Sequence, residues 1–264
     1  TLCVTGFLLG LVRCMSVWPK VCRPGWFAVG CWCGAALLAK ANALTLPVLL
    51  VLSVGLRVLR DGRIGTGIQA LAIAGVTSTA VAGWWFLRNF LLYGDPLGAG
   101  PFVETSGLVS SVGWRDLPYV LAVQARSFWG LFGWMSVVPP SGYYVAVAVL
   151  LVGLVAVAAN AFSRGGLASA SPAEPDALAI LLCAVVVQEV FQLSAIGSFG
   201  ESWMQGRYLF PVLPAGAVAA SIVLQRSCGP RWAPHLAWGT SAYLVGLASY
   251  ALLAVIVPAY YGAR

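Results

Sequence analysis

The sequence predicts an all-α protein, a polytopic bundle of transmembrane helices with about eight spans and one further external interfacial or re-entrant helix. Of its 264 residues, 60% are hydrophobic and only 9% are charged, and the mean hydropathy is +0.89. A soluble domain of this length does not need so apolar a composition to fill its core. The apolar residues also gather into runs close to the roughly 20 residues that cross a bilayer core of about 30 Å. One bundle over 1–264 is the simplest domain organisation.

Eight hydrophobic runs separated by short polar breaks are the predicted spans. They lie at 2–17, 25–39, 43–57, 66–88, 142–160, 177–197, 207–225 and 236–257. The second and third runs are short and nearly continuous, and Lys40 lies in the junction between them. We therefore expect Lys40 at a span end, next to the membrane surface.

The basic residues predict how the spans are oriented. Four connections carry them, and all four fall on one side of the membrane if the spans alternate in direction. These residues are Lys20 and Arg23, then Arg57, Arg60 and Arg63, then Arg164, and finally Arg226 and Arg231. The positive-inside rule assigns that side to the cytoplasm. The external face then holds Lys40, the long segment 89–141 and the loop 198–206.

The external segment 89–141 contains the stretch 116–138, which we interpret as an interfacial or re-entrant helix. Asp116 suits the N-cap, Pro118 suits the first turn, and the apolar run closes at Pro139 and Pro140. A ninth span is the alternative, but it would move the later basic connections outside, against the positive-inside rule. The Gly-, Ser-, Ala- and Pro-rich stretch 161–176 is expected to be a cytoplasmic linker.

Several function classes lack support in the composition. The formal charge of +7 is not clustered as in nucleic-acid binding proteins and instead suits anionic lipid headgroups. The seven cysteines are odd in number and lie in or beside apolar runs, which argues against a disulfide framework, and no metal site is predicted. The chain starts with Thr1 and has no signal-peptide pattern, so we expect a fragment that lacks its N-terminal spans.

Glu189 is the acidic residue placed deep inside a predicted span, where a charge is costly. Gln192 lies four residues after Gln188 and three after Glu189. The three side chains therefore form one polar stripe, because residues three or four apart share a helix face. Such groups often hydrogen-bond neighbouring membrane helices. They also line substrate paths, and the sequence leaves both roles open.

Two polar stretches at predicted outer span ends are further candidates. In RNFLLYGDPLG, Arg88 is placed to reach headgroups or a phosphate, and Asp95 lies in a Gly-Asp-Pro corner where it could simply cap the turn. In ESWMQGRYLFPVLP, Gln205, Arg207 and Tyr208 precede Pro211 and Pro214, which leave helix carbonyls without N–H donors. Cations suit a lipid-linked phosphate, and carboxylates can accept a proton from a hydroxyl.

Four of these stretches resemble a known family, in the same order along the chain. LLAKANALTLPVLLVLS, WFLRNFLLYGDPLG, SFWGLFGWMSVVPP and QGRYLFPVLP are similar to segments of the GT-C superfamily of polytopic glycosyltransferases. The nearest members are the protein mannosyltransferases, the aminoarabinose transferase and an uncharacterised bacterial branch. The resemblance implies a bacterial inner-membrane enzyme, with no certain cofactor, that transfers a sugar from a polyprenyl-phosphate donor to a glycan, lipid or protein acceptor at the external face.

The resemblance also implies roles for individual residues. Lys40, Arg88, Arg207 and Tyr208 would lie near the donor phosphate, and Asp95, Glu201 and Gln205 would support the external site. The principal base in such enzymes is an acidic residue in the first external loop, which would precede this chain. Two alternatives remain: a transporter or flippase of a lipid-linked or polar solute that uses Glu189, and a non-catalytic membrane subunit.

Overall fold

The structure, a computed structural model, describes residues 1–100, 112–133, 135–163, 174–199 and 204–262. These residues are helical apart from short connections and one isolated bridge between Phe132 and Val137. The α-helices within the described ranges are α1 (Leu2–Ser16), α2 (Arg23–Ala39), α3 (Thr45–Asp61), α4 (Ile64–Tyr93), α5 (Leu117–Gly130), α6 (Ser141–Ser163), α7 (Glu174–Phe199), α8 (Leu213–Tyr250) and α9 (Val257–Tyr261). Shorter 3₁₀ segments cover Ala41–Leu44, Trp114–Asp116 and Gly206–Val212, and a π-helical turn covers Ala251–Ile256.

Six helical stretches in the described part of the chain are long and apolar enough to cross a membrane. They are Asn42–Asp61, Ile64–Tyr93, Ser141–Asn160, Asp176–Ile196, Gly206–Gly229 and Arg231–Tyr261. The predicted all-helical class is thus confirmed for the described residues, and six of their helices have the length and composition that a membrane span needs. The helices α1 and α2 have only 15 and 17 residues, so the predicted count of about eight spans stays a prediction.

The predicted interfacial helix is shorter than its apolar run. The helix α5 ends at Gly130, and the chain continues through Gly133 and Met135, both with a positive φ (54° and 71°). A left-handed backbone cannot continue a right-handed helix, so the prediction of a helix to residue 138 was wrong. The fourteen residues of α5 rise about 21 Å, which is less than the thickness of a bilayer core.

The predicted linker 161–176 is also shorter than expected, because α6 extends to Ser163 and α7 begins at Glu174. Residues 164–173 lie outside the described residues.

The chain forms two compact units. The first contains Thr1–Gly113, Ser171–Trp203 and Tyr208–Gly216, and the second contains Trp114–Ala170, Met204–Arg207 and Ala217–Arg264.

Small residues bring α2 and α4 together in the first unit. A Cβ atom at Gly30 would lie 2.5 Å from the Ala74 carbonyl oxygen and 2.7 Å from Thr77 Cβ, and one at Gly34 would lie 2.6 Å from Val81 Cβ. Gly30 and Gly34 form the small-xxx-small spacing that lets membrane helices approach at backbone distance. Ala74 and Ser78, the α4 residues whose carbonyls lie nearest Gly30 and Gly34, are small and buried.

Two polar contacts join α3 to α7 in the same unit. Near the start of α3, the Thr45 hydroxyl lies 3.0 Å from Gln188 Oε1, and in its last turn Arg57 pairs with Asp176. Both helices advance twelve residues between the two contacts, in opposite directions. The pair is therefore antiparallel, with its register fixed at two points.

The second unit is organised around the end of α5. The Tyr143 and Tyr144 hydroxyls donate hydrogen bonds to the carbonyls of Trp129 (2.8 Å) and Gly130 (3.0 Å). Tyr143 is buried together with Val147 and Ala251 from the π-helical turn. The tyrosine hydroxyls thus satisfy carbonyls that the end of α5 leaves without helical partners.

The long helix α8 is interrupted at Gly229, whose φ of 72° and ψ of 170° lie outside the helical region.

Candidate functional site

Lys40 and Tyr208 are brought into contact in the first unit although they are far apart in sequence. Lys40 ends α2 in an extended conformation, with φ −166° and ψ 140°. Its Nζ atom lies 4.6 Å from the centroid of the Tyr208 ring, a cation–π distance. Lys40 is an exposed residue, and the contact with the ring fixes where its ammonium lies.

The buried Gln188 side chain holds the Tyr208 backbone in place. Gln188, only 1% exposed, donates a hydrogen bond from Nε2 to the Tyr208 carbonyl at 3.2 Å. Pro211, three residues later, has no N–H for the 3₁₀ bond to that carbonyl. The proline in this stretch was predicted to free a carbonyl, and the Gln188 amide is the donor that the fold supplies to it.

The polar network extends from Gln188 into the α2–α3 junction. Thr45 Oγ1 lies 3.0 Å from Gln188 Oε1 and 3.0 Å from the Asn42 carbonyl oxygen. The Asn42 side chain is 2% exposed, and its amide nitrogen and oxygen have no hydrogen-bond partner among the described residues. An unsatisfied buried amide is costly, so the Asn42 side chain offers one donor group and one acceptor for a further polar partner.

Arg88 lies near the end of α4 with partners on its own helix. Its guanidinium carbon is 5.3 Å from the Trp85 ring centroid, and Nη1 is 3.4 Å from Asn89 Oδ1. The buried Asn89 side chain in turn donates to the Pro96 carbonyl at 3.4 Å. Asn89 therefore links the Arg88 region to the Gly-Asp-Pro corner.

Asp95 organises that corner through its side chain. Gly94 ends α4 with a φ of 69°, and its N–H bonds the Phe90 carbonyl at 2.9 Å. The Asp95 carboxylate accepts N–H bonds from Leu97 (2.9 Å), Ala99 (2.6 Å) and Gly100 (3.1 Å). The bonds from Leu97 and Gly100, and then that from Ala99, lower the pKa of Asp95 below its ordinary value.

The corner should loosen in acid. Because the pKa of Asp95 is lowered in the folded chain, its stabilisation is complete above the ordinary aspartate pKa of about 3.9 and is lost as the pH falls through the lowered value. We expect the exchange protection factors of the amides of Leu97, Ala99 and Gly100 to fall over that range, and the substitution Asp95→Ala to lower them at neutral pH. Equal protection in Asp95→Ala and the unaltered protein would contradict this role.

Gln205 and Arg207 lie in the second unit, where they line a cavity of about 80 Å³ with Ser127, Leu131, Gly133 and Met135. The Ser127 hydroxyl accepts the Gly206 N–H and lies 3.1 Å from the Gln124 carbonyl oxygen. A Cβ atom at Gly206 would lie 2.4 Å from the Phe128 backbone nitrogen. Only glycine fits there, so Gly206 holds the QGR stretch directly against α5.

The acidic candidates are placed less centrally. Glu189 is half-buried on α7, while its neighbours Gln188 and Gln192 are the residues that face the core, with exposures of 1% and 0%. Glu201 lies outside the described residues. Across the described ranges, no three His, Cys, Asp or Glu side chains come together as a metal site requires.

Sequence reasoning missed the supporting residues more than the exposed ones. Asn42, Thr45, Asn89 and Ser127 are all buried polar residues close to a candidate residue. The available signal was their polarity inside apolar runs, which is costly unless a partner is present.

Comparisons with known proteins yield no match: no protein-family model, no curated protein and no solved structure corresponds to this chain.

Proposed function

We propose that the protein is a membrane glycosyltransferase of GT-C type that takes a sugar from a polyprenyl-phosphate donor. The acceptor hydroxyl oxygen attacks the anomeric carbon, the bond from that carbon to the phosphate oxygen breaks, and the electron pair stays on the polyprenyl phosphate. The hydroxyl proton goes to a carboxylate that acts as the base. The developing negative charge on the phosphate is the part of the reaction that a cation stabilises.

The observation that carries the proposal is the contact between Lys40 and Tyr208. Lys40 is an exposed residue, the Tyr208 backbone is held by the buried Gln188 amide, and both residues belong to stretches that resemble the superfamily. A cation fixed on an aromatic face suits a phosphate with an attached sugar, because the ammonium binds the anion and ring faces stack on sugars. Arg88 and Arg207 stay predictions of the resemblance.

Substituting Lys40 tests this function. Membranes that carry the protein are incubated with labelled polyprenyl-phosphate sugars, and the label that leaves the polyprenyl phosphate is measured. We expect Lys40→Met to lower this transfer by about tenfold, because a charge-assisted bond to the leaving phosphate is lost. Lys20→Met removes an equally exposed lysine from a predicted cytoplasmic connection and should leave transfer unchanged.

Two results would overturn the proposal. One is unchanged transfer in Lys40→Met, and the other is no transfer by the unaltered protein from any of the labelled donors. Movement of intact donor across the membrane without release of sugar would favour a flippase instead.

A further inference from the structure

A groove at the other end of α3 has the chemistry of a lipid site. It is a cavity of about 110 Å³ between α1, α3 and α7, all in the first unit. Its apolar lining comes from Met15, Leu52, Leu56 and Ile180, with the small residues Ser53, Ala179 and Cys183 between them. Leu52 and Leu56 are themselves exposed at the helix surface. The groove therefore opens towards whatever surrounds these helices.

Charged groups occupy one end of the groove. Arg57, Arg60 and Asp176 complete its lining. Arg57 already has two carboxylates, since its Nε lies 3.0 Å from Asp61 and its Nη1 pairs with Asp176. Among the described residues, Arg60 has only a share of Asp176, through Nη1 at 3.0 Å, and its side chain is 69% exposed. Arg60 thus keeps most of its five N–H donors for another anion, and Asp176 holds it at the groove.

We propose that this groove binds an anionic phospholipid, with an acyl chain along the apolar lining and the phosphate on Arg60. The two halves of the groove match the two halves of such a molecule: an apolar channel between helices, and a guanidinium at its end that suits a phosphate. Basic pockets between membrane helices bind lipid headgroups in this way.

The predicted orientation selects a phospholipid over other lipids that carry a phosphate. The connection that contains Arg57, Arg60 and Arg63 is predicted to face the cytoplasm, where the leaflet is rich in anionic phospholipids. The proposed sugar donor, in contrast, would be used at the external face. The groove is therefore a separate site, and its occupancy does not depend on the proposed transferase activity.

Retention of lipid by the purified protein tests the site. The complete protein is reconstituted into vesicles of equal phosphatidylglycerol and phosphatidylcholine and extracted again, and the bound lipids are counted by native mass spectrometry. We expect phosphatidylglycerol to be preferred, and Arg60→Gln to lower this preference about fivefold. Ala179→Phe fills the apolar half without changing any charge and should reduce the lipid retained.

The substitution Arg23→Gln is the control. It removes an exposed arginine on the same predicted face that does not line the groove, so the preference should persist. An unchanged preference in Arg60→Gln, or equal retention of both lipids by the unaltered protein, would overturn the proposal. Displacement of the Arg60-dependent lipid by an equal amount of polyprenyl phosphate would reject a phospholipid as the occupant.

Discussion

Replacing Gly30 with leucine should prevent α2 from packing on α4, so that little folded protein accumulates in the membrane. A Cβ atom added at Gly30 would lie 2.5 Å from the Ala74 carbonyl oxygen. That neighbour is backbone, so it cannot rotate away as a side chain would. Overpacking typically costs up to about 3 kcal/mol, and a collision with backbone belongs at or above that limit. The midpoint of thermal unfolding and the yield of monodisperse protein in detergent measure the effect.

Gly75→Leu is the matched control, because no atom lies within 4 Å of a Cβ at that α4 position. It adds the same apolar side chain to the same pair of helices and should leave the unfolding midpoint near that of the unaltered protein. Similar midpoints for Gly30→Leu and Gly75→Leu would show that close packing at Gly30 does not stabilise the fold.

Replacing Gln188 with leucine should destabilise the protein by about 2 kcal/mol and displace Tyr208. The Tyr208 carbonyl would lose the hydrogen bond from the buried Gln188 Nε2, and removing one partner of a buried hydrogen bond costs about 1–3 kcal/mol. We expect Gln188→Glu to show a similar loss, because it keeps the oxygen that faces Thr45 but removes the donor. Thermal unfolding followed by circular dichroism gives the comparison.

Gln225→Leu makes the same chemical change at an exposed position on α8 and should have little effect on unfolding. If Gln188→Glu were as stable as the unaltered protein while Gln188→Leu was not, the contact with Thr45 would be the important one. Equal stability of all three variants would contradict any structural role for the amide.

The helices could largely be predicted from the sequence, but their contacts could not. Apolar runs of sufficient length define a membrane helix because a lipid environment leaves backbone groups few other ways to be satisfied. The same rule failed in 116–138, where the positive φ of Gly133 and Met135 ends the helix inside an apolar run. Composition does not record that backbone change, and tertiary packing decides it.

The candidate site shows the same division. Lys40 and Tyr208 were each selected because charge and aromatic groups at span ends suit a lipid phosphate, but their contact depends on how α2 and the stretch after α7 pack. Gly30 and Gly34 display their packing motif openly in GCWCG, whereas the partner helix cannot be read from that spacing. Asp176 was predicted to lie in a linker, and only the structure pairs it with Arg57.

The antiparallel pair α3 and α7 also sets how far the Gln188 amide lies from the Arg57 end of the pair along the helices. The Arg57–Asp176 and Thr45–Gln188 contacts are twelve residues apart on each helix, which is about 18 Å of helical rise and less in depth if the helices tilt. With Arg57 and Asp176 at the level of one set of headgroups, a core of about 30 Å leaves at least about 12 Å between the Gln188 amide and the opposite surface. In that placement Tyr208, bonded to the Gln188 amide, would lie below the opposite surface, and a ligand would leave bulk water to reach its backbone.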